Sequence, residues 1–389
     1  MPTFTVDRGY NAGMGENLSS DDSPVPTKKS KRRWLQFSLR SLLIFTLICA
    51  IGSAWVARRM ERKRKERETV EAIVKSGGQV YYDYQVDPRG VVLRGTVSAA
   101  PPGPAWLRGL FGENFLSEVK TVGLKGGDAE LESIKGLTEL QMLNLSGSKI
   151  TDAGLIYLEG FPHLESLCLG LGSEGTNIGD AGLQHVKGLT ELRDLYLVRT
   201  KVTDAGLANI KGLTRLQTLY LGDTQVTDAG LVNLKDLTQL RALLLSETKI
   251  TDAGLVNLKR LTQLQKLWFY GSKIADGGLV NISGLTQLEI LGLNKTLVTD
   301  VGLASVKALD KLQTLQLGET TVTDVGVANL AGLTRLQRLF LADTKVTDVG
   351  LKRLQGLAQL GMLFVGDTKV TDAGVKELQR ALPACQIIR

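Results

Sequence analysis

The sequence predicts an α/β fold, a right-handed solenoid of about ten 24-residue units behind a single N-terminal transmembrane helix. Two observations predict it: a leucine motif that recurs with a fixed period, and one apolar segment flanked by basic residues. A composition of 43% hydrophobic and 22% charged residues is typical of chains with a packed core and excludes a wholly disordered chain. The predicted segments are a disordered basic tail at 1–33, the transmembrane helix at 34–57, a juxtamembrane helical stalk at 58–76, a small N-terminal cap region at 77–118 and the solenoid at 119–389.

The transmembrane helix is predicted from a stretch almost without charge. Residues 41–57 carry no charged side chain, and the longer stretch 37–57 is interrupted only by Arg40. Trp34 and Trp55 are 21 residues apart, which is roughly 30 Å along a helix and matches the two aromatic belts of a bilayer. We therefore expect a single-pass anchor that contacts the membrane through residues 37–57.

Two other interpretations of this segment remain open, a cleavable signal peptide and a buried core helix. Gly52, Ser53 and Ala54 form the kind of small-residue run that precedes a cleavage site. A signal peptide is disfavoured because the apolar stretch exceeds the usual length of about 7–15 residues, and burial is disfavoured because charges are dense on both flanks. Six basic residues precede the segment and eight follow it within 20 residues, so the positive-inside rule does not decide the orientation.

The formal net charge of +7 belongs entirely to the N-terminal region. Residues 1–76 hold 15 basic and 8 acidic residues, which leaves 32 of the 47 basic and 32 of the 40 acidic residues for the rest of the chain. Without a basic face on the repeats, the sequence predicts no nucleic-acid partner. Three cysteines and two histidines form no disulfide framework and no metal-ligand spacing, so no cofactor is expected.

Three features are predicted between the anchor and the repeats. The segment 58–76 alternates in charge sign and predicts a solvated helix that ends at Gly77. Alternating apolar residues then predict a hairpin that turns at 87–90. Segment 105–119 is expected to cover the open core of the first unit. Its apolar residues at helical spacing are Trp106, Leu110, Phe111 and Phe115.

A Leu-x-x-Leu-x-Leu motif recurs ten times along the chain. The spacing is 24 residues, except for one spacing of 28 with four extra residues within 170–177. Each unit continues into Thr-Asp-x-Gly-Leu or a close variant, and Gly179 and Ala275 replace the Thr in two units. A period in the twenties with this leucine pattern predicts the solenoid. The motifs begin at Leu140, Leu164, Leu192, Leu216, Leu240, Leu264, Leu288, Leu312, Leu336 and Leu360.

The unit that begins at residue 240 illustrates how each unit is expected to fold. Leu243 points inward from a short strand and Leu244 points outward, because side chains alternate across a strand. The Thr248 hydroxyl is expected to bond backbone groups where the chain turns. Thr251 or Asp252 is expected to cap a short helix. The helix is expected to pack onto the strand through Leu255, Leu258 and Leu261.

These motifs resemble the leucine-rich repeat superfamily over residues 128–381. The Thr-Asp-x-Gly-Leu segment is similar to the cysteine-containing subclass of F-box-type adaptor proteins, although Thr or Ser replaces its cysteine and no F-box-like segment precedes the array. A basic tail, one spanning helix and this array together resemble bacterial membrane-anchored leucine-rich repeat proteins. The resemblance implies a place in a bacterial inner membrane, with the side of the repeats undecided. It names no specific partner, because the superfamily binds many unrelated ones.

The outward position between the last two strand leucines predicts a binding surface. Neighbouring strands are about 4.8 Å apart, so the large side chains of consecutive units are expected to be contiguous. Large apolar groups on a solvent-facing sheet suit a partner, whereas the alternative is an intramolecular ladder that only stabilises the sheet. We call this candidate partner-binding surface the aromatic stripe, and it comprises Tyr196, Tyr220, Leu244, Trp268, Tyr270, Phe340 and Phe364.

Five acidic residues occupy the position three residues past the stripe, where each strand ends. They are expected to attract a basic partner. The alternative is a solvated turn that favours solubility. We call this row the acidic edge, and it comprises Asp223, Glu247, Glu319, Asp343 and Asp367.

The sequence shows no catalytic constellation. Cys168 could act as a nucleophile with His163 or His185, but neither histidine is expected on the outward face, and a free cysteine is the preferred interpretation. The recurrent aspartates are interpreted as helix caps.

We therefore predict a non-enzymatic, membrane-tethered scaffold or receptor that binds a protein or peptide through the concave sheet. The alternative is a structural envelope protein that self-associates or contacts cell-surface polymer, which an exposed final strand near Ile387 would favour through edge pairing.

Overall fold

The structure, a computed structural model, describes residues 39–87 and 100–389. The chain divides into two units, Met1–Val56 and Ala57–Arg389. The predicted basic tail at 1–33, the first residues of the predicted transmembrane segment and most of the predicted turn at 87–90 lie outside the described residues.

The second unit is built on one sheet, whose thirteen described strands follow one another in chain order. β1 and β2 are antiparallel, and every later pair is parallel. The strands are β1 (Gln79–Tyr82), β2 (Val119–Gly123), β3 (Met142–Asn144), β4 (Ser166–Gly170), β5 (Asp194–Leu197), β6 (Thr218–Tyr220), β7 (Ala242–Leu244), β8 (Lys266–Trp268), β9 (Ile290–Gly292), β10 (Thr314–Gln316), β11 (Arg338–Phe340), β12 (Met362–Phe364) and β13 (Gln386–Ile388).

Short helical segments return the chain from the end of one parallel strand to the start of the next. Five of them, within the described residues, are 3₁₀ turns at Asp83–Gln85, Gly154–Gly160, Gln184–Val186, Val232–Leu234 and Gly254–Leu258. The α-helices are α1 (Leu39–Lys75), α2 (Ala105–Phe111), α3 (Asp128–Ser133), α4 (Asp180–Leu183), α5 (Asp204–Leu207), α6 (Asp228–Leu231), α7 (Asp276–Ile282), α8 (Asp300–Val306), α9 (Asp324–Ala328), α10 (Asp348–Arg353) and α11 (Asp372–Ala381).

The predicted repeat fold is confirmed. Strands β3 to β12 coincide with the ten leucine motifs, and β2 and β13 extend the parallel sheet by one strand at each end. Leu243 is buried and Leu244 is half-exposed, as the alternation predicts. The helical leucines Leu255, Leu258 and Leu261 are fully buried against them. No unit can enclose this set alone, so the core is continuous from one unit to the next.

The Thr-Asp-x-Gly-Leu segment joins each unit to the next. Thr227 caps its own helix, because its hydroxyl oxygen accepts the Ala229 N–H at 3.3 Å. Asp204, in the preceding unit, accepts the Thr227 N–H at 2.8 Å and the Thr227 hydroxyl at 2.6 Å. The prediction that the aspartates are helix caps is therefore wrong: the threonine caps, and the aspartate holds the following unit. The reason is that parallel stacking brings each carboxylate onto the next threonine, a contact between units that no single unit reveals.

The glycine of the same segment makes room for that carboxylate. A Cβ at Gly230 would lie 2.4 Å from Oδ1 of Asp204, and the equivalent glycine in each neighbouring unit faces the preceding aspartate in the same way. Where Thr is replaced, the bond from the hydroxyl is lost but the backbone bond remains: Asp252 accepts the Ala275 N–H at 2.7 Å.

The Thr column at the strand exits bonds the backbone, as predicted. The Thr248 hydroxyl donates to the Leu245 carbonyl at 2.6 Å, and six other units repeat this bond. Ser272 is the exception within the described units, since its buried hydroxyl oxygen has no hydrogen-bond partner.

The C-terminal half of α1 covers the open end of the core, which corrects two expectations. Ile73 is buried in the core, and Val70 and Val80 pack against it, so segment 58–76 is not a solvated stalk. Segment 105–119 contributes little cover, because Trp106 is 69% and Leu110 is 67% exposed. The sequence misled here because the charges of α1 are spread over all its faces, including the buried one.

Two charged residues on the buried side of α1 form an ion-pair network. Lys63 donates to Glu66 at 2.7 Å and to Glu118 at 3.3 Å, and both Lys63 and Glu66 are buried. Arg59 bonds the same Glu118 at 2.9 Å. Burial raises the pKa of Glu66, and the neighbouring Lys63 opposes that rise. The network ties α1 to the segment that leads into β2.

The β1 strand differs from the predicted hairpin. It pairs antiparallel with β2, with Val80 opposite Val122, and it ends at Tyr82, where the 3₁₀ turn begins. Tyr84 lies in that turn and so does not continue a strand.

One described helix is long and apolar enough to cross a membrane. α1 has 37 residues, and an 18-residue window within it has a mean hydropathy of 1.9. None of that window is buried, in contrast to the core helix of a soluble domain. Length and composition make it a candidate span, and a signal sequence passes the same test.

Candidate functional site

The outward residues of consecutive strands stand in register along the whole parallel sheet. In each pair of neighbours the residue of one strand faces the same position of the next, so the stripe is a continuous row. From β4 to β12 this row is Cys168, Tyr196, Tyr220, Leu244, Trp268, Gly292, Gln316, Phe340 and Phe364.

Three aromatic rings of the stripe form one cluster. The rings of Tyr196 and Tyr220 meet edge to face with centroids 5.1 Å apart. The rings of Tyr220 and Trp268 meet in the same manner at 6.1 Å, across the intervening Leu244. All four side chains are half-exposed. Edge-to-face pairs add about 0.5–1.5 kcal/mol to area burial, so the cluster supports itself and still presents apolar surface.

Gly292 determines how Trp268 lies on the sheet. A Cβ at Gly292 would lie 2.5 Å from Cδ1 of the indole, so the ring occupies the space that a side chain on β9 would fill. The indole is therefore fixed by the sheet beneath it, and a fixed aromatic loses little conformational entropy when a partner binds.

A second patch of the stripe lies further along the sheet. Phe340 and Phe364 stack face to face, with centroids 4.4 Å apart and planes 8° apart. Gly292 and Gln316 separate this patch from the first. Tyr270 lies beside the first patch, 38% exposed, and the Lys295 ammonium lies 5.7 Å from its ring centroid.

The phenols of the first cluster remain protonated over a wide pH range. Burial raises the pKa of Tyr196, and the nearby Asp194 carboxylate raises it further. The same two causes, in the same order, raise the pKa of Tyr220. Both hydroxyls are therefore hydrogen-bond donors available to a partner on the sheet face.

The acidic edge occupies a left-handed backbone position. All five acids, together with Arg199 and Lys295 of the same row, have φ between 53° and 57°. Gly147 and Gly271 fill that position in two other units. Each side chain at this turn is exposed.

The two basic residues of that row divide the acidic edge. Arg199 donates to Asp223 at 2.9 Å and neutralises it locally. Lys295 lies before the last three acids, so negative charge is concentrated on three consecutive units. Those units contribute Glu319, Asp343 and Asp367.

The catalytic alternative gains no support from the geometry. Cys168 is buried, burial raises the pKa of its thiol, and its sulfur lies 2.9 Å from the Ser146 hydroxyl. His185 faces Glu159 instead, with Nδ1 3.9 Å from the carboxylate. Within residues 39–87 and 100–389, no group of three or more His, Cys, Asp or Glu side chains is placed to hold a metal ion.

Sequence reasoning missed an exposed valine row on the helical side of the units. Three units carry valine just after the leucine of Thr-Asp-x-Gly-Leu, and the next three carry it at the x position. These positions are three residues apart on a helix and so share a face. The 24-residue columns of the sequence contained this signal. The valine row comprises Val232, Val256, Val280, Val301, Val325 and Val349, which are 47–73% exposed.

Comparisons with known proteins agree with this architecture. A family model described as a leucine-rich repeat matches residues 137–158. No curated protein matches the chain. The solved mouse RP105/MD-1 complex contains a similar chain, with 19% identity and a TM-score of 0.51, over 65% of this chain and 43% of that one. An internalin from Listeria monocytogenes has 23% identity and a TM-score of 0.49, over 67% of this chain and 88% of the internalin. A leucine-rich repeat protein from Leptospira interrogans has 17% identity and a TM-score of 0.44, over 78% and 96%.

Proposed function

The chain has the leucine-rich repeat fold, and from that premise we propose that it is a membrane-tethered, non-enzymatic scaffold or receptor that binds a protein or peptide through the exposed face of its sheet. Repeat solenoids generally use such extended surfaces for binding. The mouse RP105 chain, which shares the fold, was solved in a complex with MD-1. The candidate span in α1 supports the tether.

The observation that carries this proposal is the cluster of Tyr196, Tyr220 and Trp268. Its rings are fixed by one another and by Gly292, yet they remain half-exposed on a flat row of strands. Tyrosine and tryptophan are the side chains that most often dominate protein interfaces. The intramolecular ladder remains the competing explanation, because the same ring contacts also stabilise the sheet.

The acidic edge supports a basic partner. A side chain other than glycine in the left-handed region costs roughly 1 kcal/mol or more, and Gly147 and Gly271 show that glycine fits this turn. The fold therefore does not require side chains at Glu319, Asp343 and Asp367. Their charges are better explained by long-range attraction of a cationic segment.

The test is to identify the partner by photo-crosslinking from position 270 in native membranes and then to measure its affinity for variants. We expect Trp268→Ala to weaken binding by about 2 kcal/mol, roughly 30-fold in Kd. Ile156→Ala is the matched control, because Ile156 is an apolar side chain, 48% exposed, on a helical turn. If Trp268→Ala and Tyr220→Ala both bind like the wild type, the stripe is an intramolecular ladder.

The valine row favours a second candidate function, a structural envelope protein that self-associates. A contiguous apolar row on the helical side suits contact with a second copy. We then expect the detergent-solubilised chain to sediment as an oligomer, and Val325→Asp to convert it to a monomer. Ile156→Asp serves as the control for an added charge elsewhere. A wild-type chain that sediments as a monomer at all concentrations excludes this function.

A further inference from the structure

We propose that the exposed face of α2, formed by Trp106 and Leu110, lies in the headgroup interface of the bilayer that holds the apolar part of α1. The proposal rests on the membrane tether proposed above. It assigns a second membrane contact, made by the repeat-containing unit itself.

The two side chains form one apolar face on a short helix. Trp106 and Leu110 are four residues apart and therefore lie on the same side of α2. They are 69% and 67% exposed, among the most exposed large apolar side chains of the second unit. Phe111 stacks on Phe115, with ring centroids 4.7 Å apart, and Phe115 is buried. Phe111 thus holds α2 in place while the other face remains open.

The position of α2 connects this face with the start of the second unit. Leu110 and Phe111 line one cavity together with Ala57, Met60 and Arg64 of α1. Ala57 directly follows the uncharged stretch in the sequence. If that stretch spans a bilayer, Ala57 lies at the bilayer surface, and Leu110 lies next to it.

Further contacts prevent α2 from moving away from this part of α1. The Arg59 guanidinium donates to the Phe115 carbonyl at 2.8 Å and lies 5.7 Å from the Phe115 ring centroid. Arg59 also pairs with Glu118 at 2.9 Å. The buried Lys63 donates to the Ser117 carbonyl, which fixes the same segment one turn further along α1.

The chemistry of the surroundings suits lipid headgroups. Tryptophan prefers the membrane interface, where its ring is partly buried and its N–H stays hydrated. Exposed basic side chains on the adjacent α1 outnumber acidic ones and attract anionic lipids. Between residues 58 and 68 the exposed basic residues are Arg58, Arg62, Arg64, Lys65 and Arg67, and the exposed acidic residues are Glu61 and Glu68.

The test places the full chain in nanodiscs of phosphatidylcholine and phosphatidylglycerol with bromine atoms on the acyl chains. Trp34→Phe, Trp55→Phe and Trp268→Phe leave Trp106 as the single tryptophan. We expect bromines near the glycerol end to reduce its fluorescence about twofold or more, and bromines near the middle of the bilayer to reduce it less, since tryptophan prefers the interface. The matched control adds Trp106→Phe and Leu297→Trp, because Leu297 is 62% exposed and follows β9. It should not be quenched.

Equal quenching of the two reporters would overturn the docking proposal. So would shielding of Trp106 from aqueous acrylamide without bromine quenching, because a second protein copy would then cover the face. Extraction by alkaline carbonate separates the two proposals. A chain that stays in the membrane with an unquenched Trp106 contradicts the docking alone, whereas an extracted chain with an unquenched Trp106 contradicts the tether as well.

Discussion

The Asp204 carboxylate accepts two hydrogen bonds from Thr227 of the next unit, from the amide at 2.8 Å and from the hydroxyl at 2.6 Å. We expect Asp204→Ala to reduce the free energy of unfolding by about 1.5–3 kcal/mol, the range for hydrogen bonds to charged groups. Asp252→Ala should cost less, because Asp252 receives only the Ala275 amide. Urea denaturation followed by circular dichroism measures both. Equal losses would show that the hydroxyl bond adds nothing.

The glycine opposite that carboxylate should tolerate no side chain. A Cβ at Gly230 would lie 2.4 Å from Oδ1 of Asp204, so Gly230→Ala displaces the carboxylate and should destabilise the chain by about 1–3 kcal/mol. Gly212→Ala is the control, since nothing lies within 4 Å of its Cβ position. Thermal melting of the two variants compares them, and a neutral Gly230→Ala would show that the units can shift apart without loss.

The last bridge of the array should respond to acid. Hydrogen bonds from the Thr371 hydroxyl and amide lower the pKa of Asp348 below its usual value. A pKa lower in the folded than in the unfolded state gives stability that is present above about pH 4 and lost as the pH falls through the folded pKa. We expect the urea midpoint of the wild type to fall between about pH 5 and pH 3, and to fall less in Asp348→Asn. The difference should be small because the side chain is exposed. Parallel pH profiles would contradict the assignment.

Neighbouring residues on β8 should separate stability from binding. Leu267 is fully buried, so Leu267→Ala should cost roughly 2–5 kcal/mol through the cavity it leaves. Trp268→Ala loses the ring contact with Tyr220 and the packing over Gly292, and should cost about 1 kcal/mol of stability. Its larger effect should be on the partner. If Trp268→Ala unfolds the chain and Leu267→Ala is silent, the inward and outward assignments are reversed.

The end of α1 should stabilise the repeats. Ile73 is buried in the core while Val74 beside it is 59% exposed. We expect Ile73→Ala to lower the free energy of unfolding by about 2–5 kcal/mol, and Val74→Ala to change it by less than about 0.5 kcal/mol. Hydrogen exchange of the β2 amides should rise in the first variant only. Unchanged exchange in both would mean that α1 does not close the core.

The leucine spacing alone determined the fold and the register of the strands. Leu243 and Leu267 are 24 residues apart, and their strands pair at that same offset, because only one stacking of identical units buries every leucine. The sequence also placed Trp268 outward, since side chains alternate on a strand. The bond from Asp204 to Thr227 was not predicted, because it joins residues of two units whose separation depends on how the units stack.

The end of the array was decided by tertiary structure. Lys63, Glu66 and Ile73 lie on a helix whose charges predict exposure, and only packing against the first strands buries them. The acidic edge shows the same limit: the sequence gives the column of acids, whereas the left-handed turn and the pairing of Arg199 with Asp223 depend on the backbone path. Periodic patterns predict contacts that every unit repeats. Contacts made once, where the repeat meets something unlike itself, depend on the three-dimensional arrangement.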